Sequence, residues 1–176
     1  MRSSTLKVLG AFAALIGVVV FVWSRLPLTL WYQHGRPTRF GKFTNRAMGH
    51  FAALGVPSWW MVTLDVPGRK SGKKTSTVLV LTDYNDEQYL VSMLGRDADW
   101  VRNVRAANGD AYLRHGETRA VHLSEVPVDE RAPILQAYVK RAPGGRKHFP
   151  VTTKDPIEAY APIVGRYPVF KIEARD

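Results

Sequence analysis

Cysteine is absent from this chain of 176 residues. Its absence excludes disulfide bonds, thiolate zinc sites, iron–sulfur clusters and cysteine nucleophiles. Acidic residues are also absent from positions 1–64, which hold seven Lys or Arg side chains, and the first acidic residue is Asp65. Later in the chain, 18 basic side chains stand against 15 acidic ones. The basic excess therefore belongs to the N-terminal third and favours a membrane surface over nucleic acid as its partner.

Several familiar catalytic motifs are missing as well. The chain has no Gly-x-Gly-x-x-Gly run, no Gly-x-Ser-x-Gly run and no Walker loop. These absences argue against a Rossmann dehydrogenase, a serine hydrolase and a P-loop enzyme. The five histidines show no ligand spacing, so no metal site is predicted.

An uncharged apolar run covers residues 8–23, with Arg2 and Lys7 before it and Arg25 after it. A helix of this length would reach about 24 Å, slightly less than the roughly 30 Å of a bilayer core. We predict that residues 1–37 form a membrane anchor or interfacial segment. A secretory signal is an alternative, although small residues for cleavage are lacking, and so is a helix packed on its own domain. The positive charges after the run favour the cell membrane with a cytoplasmic C-terminal domain.

Apolar residues recur at helical spacing in the next segment. They predict an amphipathic helix over residues 38–56, which ends near Gly55 and Pro57; its apolar positions are Phe40, Phe43, Ala47, Phe51 and Leu54. Packing on the domain and lying on a membrane are both consistent with such a face.

From residue 57 onward the pattern changes to short segments with period-two alternation. They predict one α+β domain over residues 57–176, mostly antiparallel. Asp97 is predicted to cap the first helix. The predicted strands are 59–64, 75–82, 88–94, 111–115, 119–125 and 168–173, and the predicted helices are 97–107 and 127–141.

A basic, glycine-containing turn lies between the first two predicted strands. Its backbone can approach a ligand closely while its cations neutralise an anionic group. A solvated hairpin tip is the alternative interpretation. The residues are Arg69, Lys70, Ser71, Gly72, Lys73 and Lys74.

The order of motifs extends beyond this turn. Residues 68–72 are followed by two strands, by Ser92-Met93-Leu94-Gly95 and by Trp100-x-x-Asn103. Together they resemble the deazaflavin-dependent nitroreductase and quinone reductase family of actinobacteria, over residues 57–174. The resemblance implies a split β-barrel related to FMN-binding proteins, with reduced coenzyme F420 as hydride donor. The family usually has proline then arginine where this chain has Lys74 and Thr75.

The resemblance also implies which residues bind the coenzyme. Residues 69–74 would hold its anionic tail, a second set would lie alongside it, and a third would complete the pocket. No catalytic side chain is obligatory, with Ser92 a candidate for a hydrogen bond to the ring. Taken alone, Trp100 is equally consistent with a core anchor and Ser92 with a strand hydroxyl. The second set is Thr75, Ser76 and Thr77, and the third is Ser92, Met93, Leu94, Gly95, Trp100 and Asn103.

The function expected from this resemblance is hydride transfer from reduced F420 to a lipophilic acceptor, such as a quinone or nitroaromatic. A homodimer is consistent with it. Three alternatives stay open: a non-catalytic barrel that sequesters a cofactor, haem or lipid at the membrane; an FMN-dependent enzyme of the related fold; and a nucleic-acid module. The nearly balanced charge after position 64 counts against the last.

Overall fold

The computed structural model describes residues 32–33, 36–37 and 60–175. The chain divides between Gly41 and Lys42 into two units. In the first, β1 (Tyr32–Gln33) and β2 (Arg36–Pro37) pair antiparallel, which nothing in the sequence pattern indicates. The apolar run at 8–23 and the amphipathic helix predicted over 38–56 lie outside the described residues. In residues 60–175, every helix is too short or too polar to cross a bilayer.

Six antiparallel strands of the second unit close into a barrel. Neighbours around the barrel follow the order β3-β4-β5-β8-β7-β6, and β6 pairs back onto β3. The predicted α+β class with mostly antiparallel strands is therefore confirmed. The strands are β3 (Met61–Pro67), β4 (Lys74–Tyr84), β5 (Glu87–Val91), β6 (Asp110–His115), β7 (Glu117–Glu125) and β8 (Val169–Ala174).

Alternation along the strands produces two hydrophobic cores, because successive side chains of a strand point to opposite faces. On β8, Phe170 packs in one core and Val169 in the other. The first core also takes Trp100, Val101 and Val104 from helix α1 (Asp99–Ala106). This helix is thereby packed against the barrel strands through its apolar face.

The second core covers the other face of β5 and β8. Helix α2 (Arg131–Arg141) contributes Leu135 and Val139, and a 3₁₀ helix over Ile157–Arg166 contributes Tyr160. The predicted helix at 127–141 is confirmed, with a separate 3₁₀ turn at Val128–Glu130 before α2. The longer 3₁₀ helix was not predicted, since its internal Pro162 disrupts a helical pattern in the sequence.

Two boundaries near the candidate site differ from the prediction. The strand expected over 88–94 ends at Val91, because the chain turns there and Gly95 adopts φ +81°. The prediction that Asp97 caps α1 is wrong: Ala98 occupies the cap position without a side-chain bond. Asp97 instead forms an ion pair with Arg102, one turn into the helix.

Candidate functional site

The basic loop, residues 68–73, joins β3 to β4 and closes on its own backbone. The Gly68 N–H donates to the Lys73 carbonyl at 2.8 Å. The Gly68 carbonyl accepts from the N–H groups of Ser71 at 3.1 Å and Gly72 at 2.8 Å. Gly72 has φ +64°, a conformation that glycine adopts at no steric cost. Most backbone N–H groups of the loop are therefore used inside the protein, which leaves its side chains to meet a ligand.

Arg69 faces helix α1 from the start of the loop. Its Nη2 lies 3.0 Å from Asp99 Oδ1, and its Nη1 donates to Asn103 Oδ1 at 2.9 Å. Its backbone N–H also donates to Asn103 Oδ1, at 3.2 Å. The side chain is only 22% exposed. The guanidinium predicted to bind an anionic tail is thus engaged by the protein's own acceptors.

Asn103 contacts the chain on both sides of the basic loop. Besides accepting from Arg69, its Nδ2 donates to Thr75 Oγ1 at 3.3 Å. Thr75 Oγ1 in turn donates to the Val66 carbonyl on β3, at 2.8 Å. Asn103 is 5% exposed, and its position inside a helix is unfavourable for asparagine, so its side-chain contacts account for it.

Lys74 lies beyond the loop, at the start of β4, beside a buried carboxylate. Its Nζ is 3.6 Å from Asp65 Oδ2. Asp65, whose side chain is 4% exposed, also accepts from Arg114 Nε at 2.8 Å and from Ser76 Oγ at 2.6 Å. Burial alone would raise the pKa of Asp65, but the hydrogen bonds from Arg114 and Ser76, with the charges of Arg114 and Lys74, lower it below the ordinary value.

Sequence reasoning missed the Asp65–Arg114 pair. An acidic residue at the centre of the apolar strand Met61–Pro67 is the signal that could have drawn attention to it.

Lys70 and Lys73 differ from the other two cations. Both are exposed, as is Ser71 between them. Within residues 60–175, neither lysine has a carboxylate at ion-pair distance. The sequence predicts four equivalent cations. The structure separates Arg69 and Lys74, each at ion-pair distance from a carboxylate, from Lys70 and Lys73, which have no such partner among residues 60–175. Lys74 is nonetheless exposed.

The turn at residues 92–95 forms a second part of the predicted site. Ser92 is fully buried, and its Oγ donates to the Gly95 carbonyl at 2.7 Å. Met93 and Leu94 are partly exposed, and each packs against one of the two cores. A Cβ on Gly95 would lie 3.3 Å from the Arg166 carbonyl. This turn therefore lies directly against the end of the long 3₁₀ helix.

Trp100 belongs to the core of the barrel. It is 6% exposed, and its ring centroid lies 5.4 Å from that of Phe170. Of the predicted strand contacts, Ser76 is exposed and Thr77 is half-buried on β4. Hydrogen bonds thus join the basic loop to α1 and, through Asn103, to Thr75 on β4, while none among the described residues joins it to the turn at 92–95. The coenzyme-binding roles that the family resemblance implies for residues 69–77, residues 92–95, Trp100 and Asn103 remain predictions.

Metal ligands are not grouped in the part of the chain that the structure describes: no three His, Asp or Glu side chains lie together there. What the loop offers is two exposed cations and a hydroxyl on a closed turn. That arrangement can bind an extended anionic group.

Comparison with solved structures gives distant similarities. A structure described as an F420-H2 dependent reductase is 23% identical, covering 67% of this chain and 97% of its own at a TM-score of 0.48. Another, described as a domain-swapped dimer, is 22% identical, covering 76% and 96% at 0.49. A protein of unknown function from Agrobacterium tumefaciens is 11% identical, covering 82% and 57% at 0.50. At these identities the similarity concerns the fold alone.

No curated protein matches the chain. A family model described as F420H(2)-dependent quinone reductase matches residues 39–158, which include the basic loop, the turn at 92–95 and helix α1. Because this match covers more than half of the sequence, the chain belongs to the F420H(2)-dependent quinone reductase family.

Proposed function

We propose that this protein is a reductase that uses reduced coenzyme F420 and passes a hydride to a lipophilic acceptor, a quinone or a nitroaromatic. Family membership supports the coenzyme. The observation that carries the proposal is the pair of exposed lysines on a loop whose backbone is closed and tied to α1. A quinone that accepts the hydride and one proton would become a hydroquinone.

The residues of the basic loop fit the tail of F420, which carries a phosphodiester and several glutamate carboxylates. Lys70 and Lys73 supply positive charge, and the Ser71 hydroxyl supplies a donor. Thr75, Ser76 and Thr77 would follow the coenzyme along β4, with residues 92–95 beyond them. A split barrel of the FMN-binding type is the architecture that goes with this proposal.

The chemistry itself comes from the coenzyme, which when bound supplies a hydride from C5 of the deazaflavin ring. The protein's contribution is to bind and orient it. Asp65 and Asp99, the carboxylates that contact the loop region, both accept hydrogen bonds from arginines. Neither is placed as a proton donor, so we assign the proton to solvent.

The test is a titration of the full-length protein in detergent with F420 and, separately, with FMN. We expect saturable F420 binding, followed by oxidation of reduced F420 when menadione or a nitroaromatic is added. Lys70→Gln with Lys73→Gln should weaken F420 binding. The control, Lys154→Gln, removes a charge from an exposed position elsewhere and should leave F420 binding unchanged. FMN binding without F420 binding would contradict the proposed coenzyme. F420 binding without turnover of any acceptor would favour the sequestering alternative.

We also propose that the protein works at the cell membrane with its barrel in the cytoplasm. The support is the apolar run at 8–23 and the excess of positive side chains that follow it over the two that precede it; those that follow include Arg25, Arg36, Arg39 and Lys42. Ile16→Arg with Val19→Arg should shift the full chain from the membrane to the soluble fraction, and Ile16→Leu should not. Unchanged fractionation would contradict this location. The homodimer stays a prediction. Measuring the mass of the protein in detergent would test it.

A further inference from the structure

We propose that Asn103 is a positioning residue which, with Asp99, holds Arg69 against α1, so that Lys70 and Lys73 rather than Arg69 contact the anionic ligand. This inference rests on the proposed function, because it takes the tail of F420 as that ligand. It departs from the sequence-based prediction, in which Arg69 and the lysines share one role.

The first step is the use that Asn103 makes of its side chain. An asparagine amide offers two acceptor positions on oxygen and two N–H donors. Here the oxygen accepts from both the backbone and the guanidinium of Arg69, and the nitrogen donates to Thr75. One buried side chain on α1 therefore ties together the entry and the exit of the basic loop.

The second step is the competition for Arg69. Its guanidinium bonds to Asn103 Oδ1 and Asp99 Oδ1 through two different nitrogens, in the planar geometry that arginine allows. A ligand anion would have to compete for Arg69 with both acceptors, one of them a carboxylate that already balances the guanidinium charge. Lys70 and Lys73 face no such competitor among the described residues. Binding a ligand anion at Lys70 or Lys73 consequently costs less free energy than binding it at Arg69.

The third step concerns the kind of ligand that such a loop suits. Lysine ammonium groups are compact charges on flexible stems, whereas arginine binds one anion in a fixed fork. A fixed backbone that presents two lysines suits a chain of separate anionic groups, with one group for each lysine. A single phosphate held in a bidentate arginine fork would compete with Asn103 and Asp99 for the same guanidinium.

The test is the salt dependence of F420 binding to the full-length protein, measured by the fluorescence of oxidised F420. We expect Arg69→Lys, Arg69→Gln and Asn103→Ala to weaken binding by similar factors of about tenfold, as loss of hydrogen bonds to a charged group does. All three should keep the wild-type slope of log Kd against log salt. Lys70→Gln and Lys73→Gln should each flatten that slope.

The Arg69→Lys variant is the decisive one, because it keeps the positive charge and removes the planar guanidinium that bonds to two acceptors. Binding near wild type in Arg69→Lys, with weaker binding and a flatter slope in Arg69→Gln, would make Arg69 a ligand cation and overturn the proposal. A flatter slope in Asn103→Ala would overturn it too, since that change removes no charge.

A second measurement needs no ligand. Amide hydrogen exchange at Gly68, Ser71 and Gly72 should be faster in Asn103→Ala than in wild type. If that variant does not fold, Thr75→Val breaks the bond from Asn103 to β4 and should speed the same amides. Unchanged exchange overturns the positioning role whatever F420 does. Faster exchange in a protein whose wild type binds no F420 overturns the proposed function and leaves the positioning of the loop in place.

Discussion

Strand β4 has a turn at each end, and the two turns owe their shapes to different parts of the molecule. The backbone of the acidic turn, residues 83–86, is set locally: Asn85 and Asp86 have φ +49° and +59° between the paired Tyr84 and Glu87. Its side chains also reach a distant residue, since Asp83 forms an ion pair with Arg141 at 2.8 Å. Two left-handed residues are what a tight hairpin turn requires. The basic loop closes on its own backbone as well, but its base is also bonded to Asn103, which is 34 positions away from Arg69. A turn whose backbone is set by short-range geometry thus contrasts with a loop that a distant helix also holds in place.

The two turns therefore differ in their proposed roles: the acidic turn connects two strands, whereas the basic loop also binds the ligand. The acidic turn can change its side chains while its backbone stays in place, because the hairpin register holds it. The basic loop carries the proposed ligand cations, and its base is hydrogen-bonded to α1. Changes in the helix should therefore be felt at the basic loop and much less at the acidic turn.

The largest expected effect comes from Trp100→Ala, which removes the aromatic anchor of α1. Truncating a buried tryptophan should lower the free energy of unfolding by about 3–5 kcal/mol in a denaturant titration. Amide exchange should rise more in the basic loop than in the acidic turn, with Trp100→Phe as a milder control. Equal increases in amide exchange in the two turns would contradict the claim that α1 holds the basic loop more than the acidic turn.

An intermediate effect is expected from Asp65→Asn, on β3 opposite Ser76 of β4. Losing the charge-assisted hydrogen bonds from Arg114 and Ser76 should cost roughly 1.5–3 kcal/mol near neutral pH. Because folding lowers the pKa of Asp65 from 3.8, its contribution is complete above that value and is lost as pH falls through it toward the folded value. Acid unfolding curves should therefore be flatter for Asp65→Asn.

Glu87→Gln, next to the acidic turn, is the matched control for this pH dependence. The hydrogen bonds from Lys171 and Tyr89 lower the pKa of Glu87 as well, but the group is exposed, so we expect a smaller change. An acid profile that responds more to Glu87→Gln than to Asp65→Asn would contradict the assignment.

The smallest effects compare one residue from each turn. Gly72→Ala should cost about 1–2 kcal/mol, because an alanine at φ +64° is strained although, within residues 60–175, no atom beyond its chain neighbours lies within 4 Å of its Cβ position. Asn85→Gly should change stability by less than about 0.5 kcal/mol, since both residues accept this backbone. Thermal unfolding of the two variants measures both. If Gly72→Ala left thermal stability unchanged, the backbone of the basic loop would be able to relax around the alanine.

The strands were predictable because their period-two pattern reflects two cores. Phe170 and Val169 alternate between them, and the β6–β7 hairpin follows from Gly116, which adopts φ +75°. Helix α1 was predictable from Trp100, Val101 and Val104, which share its apolar face. Local patterns of this kind identify elements without fixing their neighbours.

Long-range contacts were not predictable from the residues alone. No spacing rule brings Arg69 to Asn103, or Asp65 to Arg114 at a separation of 49 positions. The order of strands around the barrel is set in the same way, by pairings between distant segments. The motifs at 68–72, 92–95 and 100–103 identified the family, but only coordinates show which cations are already engaged.

The position of β8 has a consequence for how the barrel is made. It fills the gap between β5 and β7, although the chain runs through the other five strands before reaching it. During synthesis on the ribosome, both of those neighbours consequently keep unsatisfied backbone edges until Val169–Ala174 emerges. Unpaired edges recruit strands from other molecules. A nascent chain halted before Val169 would thus be the form most exposed to aggregation.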